Sequence, residues 1–230
     1  MHPPSAAWEA LASPTRDNPA KVGSYRTNPV PESAFEPWIY RLRAAVGPDP
    51  LAGIDPAAFA DENGNRRGID RPLLAWLLHL SSPPTQGRGL DLALWQALAN
   101  DAPVDVQLAP NGPLQDAAAP GRGELAIEVW TECELAAIQA LWTLGVQRRE
   151  PDLTRRAEAA ARWCVEELQP DNATAHPWAV NAFVSLSARG EIEADLYAQT
   201  LLHNARVGTG HPGRFASIVL LASLRSLEMV

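Results

Sequence analysis

Cysteine is scarce: Cys133 and Cys164 are the only two in 230 residues, and they form no C-x-x-C pair. Two such cysteines make no disulfide framework, and a chain of this length can bury a core without disulfide or metal staples. Lysine occurs once, at Lys21, among 19 basic residues against 27 acidic ones, giving a net charge of −8 and a pI near 5.1. That balance argues against a general nucleic-acid or anionic-membrane binder, since both need a basic surface. The arginine and alanine bias fits a GC-rich, bacterial-type coding sequence and carries no function. No apolar run approaches the ~18 residues of a membrane span. Met1 to Pro19 offers Trp8 and Leu11 but no apolar signal core, so the expected compartment is the cytoplasm. No serine sits in a G-x-S-x-G elbow and no glycine loop has P-loop or dinucleotide spacing, which leaves those chemistries unsupported. The loop Asp61-Glu-Asn-Gly-Asn-Arg-Arg-Gly68 has Arg66 where a calcium loop needs glycine and Pro72 where it needs an acid, so calcium is not expected.

What the chain does contain is a repeated phrase. Thr174-Ala-His176-Pro177 and Thr209-Gly-His211-Pro212 lie 35 residues apart, each opening an uncharged apolar segment. A period of that size suits a helix, a turn and a second helix. Proline after each histidine marks the first helical position, which makes His176 and His211 expected N-caps. Setting Gly145 opposite Gly190 adds a third, weaker copy with Thr131 opposite His176, where Thr131-Glu-Cys-Glu134 reads as a capping box. Leu125-Ala-Ile127 and Val129-Trp130 are equally readable as an earlier turn of the same helix.

Residues 1–34 carry Pro3, Pro4, Pro14, Pro19, Pro29 and Pro31 among scattered polar residues and read as a flexible arm, able to wrap the body through Trp8 or Tyr25. A single helical domain is expected over 35–230. Helices are expected from Phe35 to Val46, from an Asp70 cap to about Leu80, and from Leu90 to Ala99, with a short turn over Asp55–Ala60. The stretch 101–123 has four prolines and one alternating scrap, Val104 to Leu108; a floppy insertion is the plainer reading and a short edge strand the other. Beyond it, inner segments 131–145, 176–189 and 213–228 are apolar all round and must be buried on every side. Outer segments 151–168 and 191–206 have one charged face, with Glu158 and Arg162 at a favourable i, i+4 spacing. The expected fold is all-α: stacked helical hairpins in two layers, a partial α/α toroid.

Trp130-Thr-Glu-Cys-Glu-Leu-Ala-Ala-Ile-Gln-Ala-Leu-Trp142 and Phe215-Ala-Ser-Ile-Val-Leu-Leu-Ala-Ser-Leu224 resemble inner helices of the α/α toroids of terpenoid cyclases and protein prenyltransferase β-subunits, over about residues 124–230. The resemblance implies an architecture. The cyclases' D-x-D-D acid box is absent, and Thr131 stands where the prenyltransferase zinc site places Asp two residues before its cysteine. His211 lies near the last inner helix, as that family's zinc histidine does, but Phe215 follows one residue later than the usual aromatic.

Candidate chemistry therefore collects on one rim: His176, His211, Thr131, Glu128, Trp130 and Trp178. No cofactor is expected, and zinc on His176, His211 and Cys133 is the weaker alternative, since no third ligand such as Cys133, Glu128 or Asp171 is fixed by spacing. The plainer reading of each histidine is a cap or turn filler, and of Cys133 a small half-buried side chain. Glu132 and Glu134 read as dipole-complementing caps; Trp130, Trp142, Trp163 and Trp178 read as core more readily than as a ligand pocket. His203 is expected on the surface. Two functions follow: a non-catalytic module binding a small molecule or protein, or a metal-dependent or toroid-type enzyme acting on a small or isoprenoid-like substrate at the histidine rim. The last inner helix has no outer helix after it, so its flank is expected to be closed by Trp38, by the 73–80 helix, or by a second copy of the chain.

Overall fold

Amphipathic stretches separated by proline and glycine become helices in the computed structural model, which describes residues 31–230 except 86, 88, 105, 116–125 and 169–173. After a 3-10 turn at Glu32–Ala34 come α1 (Glu36–Val46), α2 (Asp70–Leu77), α3 (Leu90–Asn100), α4 (Ile127–Arg148), α5 (Pro151–Glu167), α6 (Val180–Ser187), α7 (Ile192–Asn204) and α8 (Arg214–Leu227). Among the described residues there is no strand, so the Val104 to Leu108 scrap forms none, and Asp55–Ala60 makes only a turn. No described helix is long and apolar enough to cross a membrane. Most of the proline-rich arm, with Trp8 and Tyr25, lies outside the described residues, as do 116–123 of the long loop and Asp171 and Asn172.

The alternation of buried and half-exposed helices has a simple cause. α4, α6 and α8 carry buried side chains on every face, whereas α5 buries Ala157, Ala160, Ala161 and Cys164, and α7 buries Ala194, Tyr197, Ala198 and Leu201, each along one stripe. α4 packs on α5 and α6 on α7 as adjacent pairs, and α3 packs on both α2 and α4. α1 lies along α8, with Arg43 bonded to Glu228 at 2.6 Å at the C-terminal end, while Arg214 at the other end reaches the Ala52 carbonyl at 2.6 Å. Arg225 of α8 also bonds the Leu77 carbonyl of α2. The flank of the last helix is thus covered from within the chain by α1 and α2, two of the segments expected there.

Polar side chains register the buried helices. Gln139 of α4 accepts from the Ala179 amide at 2.9 Å and donates to the Val219 carbonyl at 3.2 Å. Thr143 bonds Ser226 at 2.7 Å and accepts from Asn181 at 3.2 Å. Buried polar groups satisfied in this way fix one arrangement of neighbours. Together with the contacts at their other ends, they run α4, α6 and α8 in one direction.

Several expectations give way to longer-range contacts. Thr131 is no N-cap: α4 begins four residues earlier, Thr131 is fully buried in its second turn, and Glu134 turns to the amides of Leu114 and Gln115. The alternative of an earlier helical turn holds. Gly145 lies inside α4 rather than at a helix end, so the third repeat copy fails there. His176 and His211 precede α6 and α8 by several residues, and the N-cap positions belong to Ala179 and Gly213. Asp70 is the first residue of α2 and accepts from the Arg67 amide at 2.7 Å instead of capping its own helix. Glu158 is buried, bonded to Ser185 at 2.7 Å and Arg189 at 3.3 Å, while Arg162 pairs with Glu191; the i, i+4 pair is replaced by ties between helices. The described part of the long loop is tied to α5, where Arg156 holds the carbonyls of Ala109, Gly112 and Pro113.

Gly145 explains how closely α4 and α5 approach. A Cβ there would lie 2.6 Å from the Thr154 backbone nitrogen and 3.1 Å from the Glu150 carbonyl oxygen. Gly145→Ala gains about 1 kcal/mol in helix propensity, but overpacking against backbone costs about 1–3 kcal/mol. The variant should melt several degrees below the parent. A higher melting temperature would show that the α4–α5 contact yields without cost.

Candidate functional site

The polar loop after α1 builds the site's frame. Asp61 accepts from the amides of Asn63 and Asn65 at 2.9 and 2.8 Å and bonds Arg67 Nη2 at 2.8 Å. Burial opposes charge at Asp61, but these donors outweigh it and hold its carboxyl near 2. Its neighbour Glu62 accepts from the Phe215 amide at 3.3 Å and so serves the N-terminus of α8, which has no side-chain cap of its own. The loop that mimics a calcium site thus orders itself and fixes Arg67.

Arg67 is the hub. Its guanidinium lies over the Phe215 ring, 4.2 Å from the centroid, in a cation–π contact. Nη2 faces His176 Nε2 at 3.5 Å, Nε faces Glu132 Oε1 at 3.8 Å, and Nη1 faces Asp70 Oδ1 at 4.0 Å. His176 Nδ1 meets the same Glu132 oxygen at 2.6 Å, and because a carboxylate only accepts, Nδ1 carries the hydrogen. The His176 ring stands edge-on to Phe215, with centroids 5.0 Å apart. Trp178 Nε1 completes the set by donating to Glu132 Oε1 at 3.4 Å. Burial pushes Glu132 upward, but its bond to His176, the His176 charge, the Trp178 N–H and Arg67 together bring it below the usual carboxylate range.

Trp178 is held by local strain. Ala179, which follows it, adopts φ 60° in the left-handed region, a conformation costing a non-glycine residue about 1–3 kcal/mol. The bond from its amide to Gln139 keeps it there. Behind Trp178 the aromatic contacts continue to Trp95 at 6.0 Å and Phe215 at 5.8 Å.

Beside Arg67 and Glu132 opens a cleft of about 520 Å³, walled by the 67–69 segment, the approach to α3 and the first turns of α4. Asp91 enters it from α3; the nearby Cys133 thiol and Leu92 amide favour its charge, but burial outweighs them and raises its pKa. A side chain at Gly89 would displace this carboxylate, since a Cβ there comes 2.4 Å from Oδ1. Burial, followed by the charges of Asp91 and Glu132, pushes the Cys133 thiol up to about 12, so it is no thiolate at neutral pH. A larger cleft of about 690 Å³ lies at the opposite helix ends. Its charges serve structure: Arg225 holds Leu77, Glu228 pairs with Arg43, and Asp101 faces Arg148.

Of the expected rim residues, the structure brings together His176 and Trp178, with Glu132 between them. His211 is exposed, its Nδ1 3.2 Å from the Pro212 carbonyl, and does not join His176. Both T-x-H-P stretches share one local bond, the Thr hydroxyl donating to the His carbonyl, at 2.7 Å from Thr174 and 2.5 Å from Thr209. Glu128 is exposed in the first turn of α4, Thr131 is buried away from the cleft, and Trp130 packs edge-on against Trp163 at 6.0 Å. His203 is exposed, as expected. Among the described residues no group of three or more His, Cys, Asp or Glu is placed to hold a metal ion, so His176, His211 and Cys133 form no joint ligand set. Arg67, Asp61, Asp70 and Asp91 were not legible as site residues. The one available signal was the density of polar residues over 61–68. Comparison with known protein families, curated proteins and solved structures yields no match to this chain.

Proposed function

We propose that the protein is a non-catalytic binding module that takes a small molecule in the cleft beside Arg67 and Glu132. The observation that carries this reading is the convergence of Arg67, Asp91 and Glu132, from three separate segments, on one recess of about 520 Å³. Small-ligand sites are recesses with apolar walls and a few placed polar groups, and Ile69, Leu92 and Val129 supply the apolar wall here. The groups that could do chemistry are engaged with one another: Cys133 is held protonated, and both ring nitrogens of His176 face protein groups.

The architecture we propose for this module is the partial α/α toroid that its segments resemble. Its support is that α2 touches α3, α3 touches α4, α4 touches α6, α6 touches α8 and α8 touches α2, while α1, α5 and α7 pack against these five. A second functional reading, an enzyme at the same rim, draws on the 2.6 Å contact of Glu132 with His176, since a carboxylate that orients an imidazole is a common acid–base device.

A ligand-observed NMR screen of polar small molecules against the full chain separates these readings. Val129→Arg, at a half-exposed position on the cleft wall, is the blocked control. Binding that disappears in the variant, with the ligand recovered unchanged, is the expected result. Binding that survives in the variant places the site elsewhere, and recovery of a converted molecule favours the enzyme.

A further inference from the structure

We infer that Arg67 is a two-position latch: its guanidinium closes on Asp70 when that carboxyl gives up its proton and turns back toward Glu132 when the proton returns, so that one wall of the cleft responds to pH.

The guanidinium is anchored at one corner and unengaged along two edges. Nη2 donates to Asp61 at 2.8 Å, the one short bond of the group. Along the edge shared with Nη1, Asp70 Oδ1 lies 4.0 Å away. Along the edge shared with Nε, Glu132 Oε1 lies 3.8 Å from Nε, and His176 Nε2 lies 3.5 Å from Nη2. A charge-assisted bond closes to about 2.7–2.9 Å, so the guanidinium stands roughly 1 Å short of each of these two carboxylates. A rigid planar fork whose edges face different ways closes on one by leaving the other.

The two carboxylates differ in what they lack. Arg67 Nη1 and Asp70 Oδ1 are both buried without a hydrogen-bond partner, and they face each other. Among the described residues the only donor bonded to Asp70 is the Arg67 amide, on Oδ2 at 2.7 Å. Glu132 Oε1 is already served by His176 at 2.6 Å and Trp178 at 3.4 Å. An ionised Asp70, its side chain 5% exposed, is a buried charge short of donors and draws the guanidinium strongly. A protonated Asp70 is neutral and releases it. Phe215 permits the movement: the guanidinium lies 4.2 Å from its ring centroid, and a shift of about 1 Å stays within the ~6 Å reach of a cation–π contact.

The charges facing Asp70 are Arg67 and Asp61 from the polar loop and His176 from the turn before α6, with Glu132 of α4 on the far edge of Arg67. Burial opposes ionisation of Asp70 most, the Arg67 amide and charge favour it, Asp61 opposes it and His176 favours it; the balance sets the carboxyl at about 6. The latch therefore turns in the range of about pH 5–7. Arg67 and Glu132 both line the cleft, whereas Asp70 stands behind it, so closure draws the cation of that wall away from its carboxylate.

The test follows the full chain by NMR from about pH 4 to 8, across that range. The Asp70 carboxyl carbon reports the proton, and the Arg67 Nε–H shift and the rotation of its guanidinium about Nε–Cζ report the latch. The Arg67 shift should follow the Asp70 carbon with a common midpoint. Rotation should slow by about tenfold or more as pH rises through it, the change that one further bond to a charged group supplies. Asp70→Asn should remove both the inflection and the slowing, and His176→Gln should leave both in place. If the Asp70 carbon titrates while Arg67 rotation stays constant, the latch is overturned. It is also overturned if the Arg67 inflection survives in Asp70→Asn or is lost in His176→Gln, because the response then belongs to the histidine. If Asp70→Asn does not fold, the rotation rates of the parent decide alone: slowing in step with Asp70 ionisation upholds the latch and constancy refutes it.

Discussion

Phe183→Ala is expected to lower the unfolding free energy by about 3–5 kcal/mol. Phe183 is fully buried on α6 and stacks on Tyr197 of α7, with ring centroids 4.5 Å apart and planes 17° from parallel. Truncation removes the ring's burial and opens a void between two helices already pinned elsewhere, by Ser187 to Asp195 and by the Asp195 bond to Trp38 of α1. Such pins restrict collapse, which places the cost toward the upper part of that range. For a domain of this size each kcal/mol moves the melting temperature by about 2–4 °C, so a calorimetric scan should show a fall of roughly 6–20 °C. A change within ~1 °C, against even 1 kcal/mol at this size, would mean that Phe183 does not sit between α6 and α7.

The parts of the fold legible in the sequence are those whose signal is local. The buried stripe of α7 through Ala194, Tyr197, Ala198 and Leu201 follows helical spacing alone, and so does α1 through Trp38, Leu42 and Val46. The start of α4 was harder because its first turn holds Ile127 and Val129 half-exposed, while a textual capping box stood four residues on. That box lost to tertiary structure: Glu134 is more use to the Leu114 and Gln115 amides than to its own helix end. The T-x-H-P phrase pointed to the correct end of the helices but to the wrong pairing. Its two copies share a hydrogen bond to the His carbonyl, while their rings go to different environments, one against Phe215 and Glu132 and the other to solvent.

The site itself was nearly silent because its charges come from distant segments, each with a plausible local role. Arg67 belongs to a turn-rich loop, Asp91 to a first helical turn where acids are common anyway, and Glu132 to an apparent cap. Only packing α2, α3 and α4 side by side turns three local roles into one cleft. The Trp178 indole shows the same dependence: it reads as core, it is core, and its single polar atom nonetheless reaches Glu132.

The pH dependence of stability should carry the signature of Asp70. This carboxyl is 4% exposed, and burial lifts its pKa from 3.8 to about 6 against the opposing bond from the Arg67 amide and the Arg67 charge. A raised folded-state pKa means that the folded chain holds the proton more tightly than the unfolded one, so the contribution to stability is complete below about pH 4 and is lost as pH rises through about 6. Asp61, depressed to about 2, acts in the opposite direction and in a separate window: its contribution is present above about pH 4 and is lost as pH falls toward 2. Asp70→Asn isolates the first effect, because an amide keeps an acceptor for the Arg67 N–H and never ionises. Between pH 4 and 7 the unfolding free energy of the variant, measured relative to the parent by urea titration, should move in the variant's favour by up to about 3 kcal/mol. A difference that stays flat across that range would show that Asp70 ionises at an ordinary pKa in the folded chain. A difference that moves the other way would show that the Arg67 guanidinium, 4.0 Å away, outweighs burial and that the hub is held by the Asp70 charge and not merely beside it.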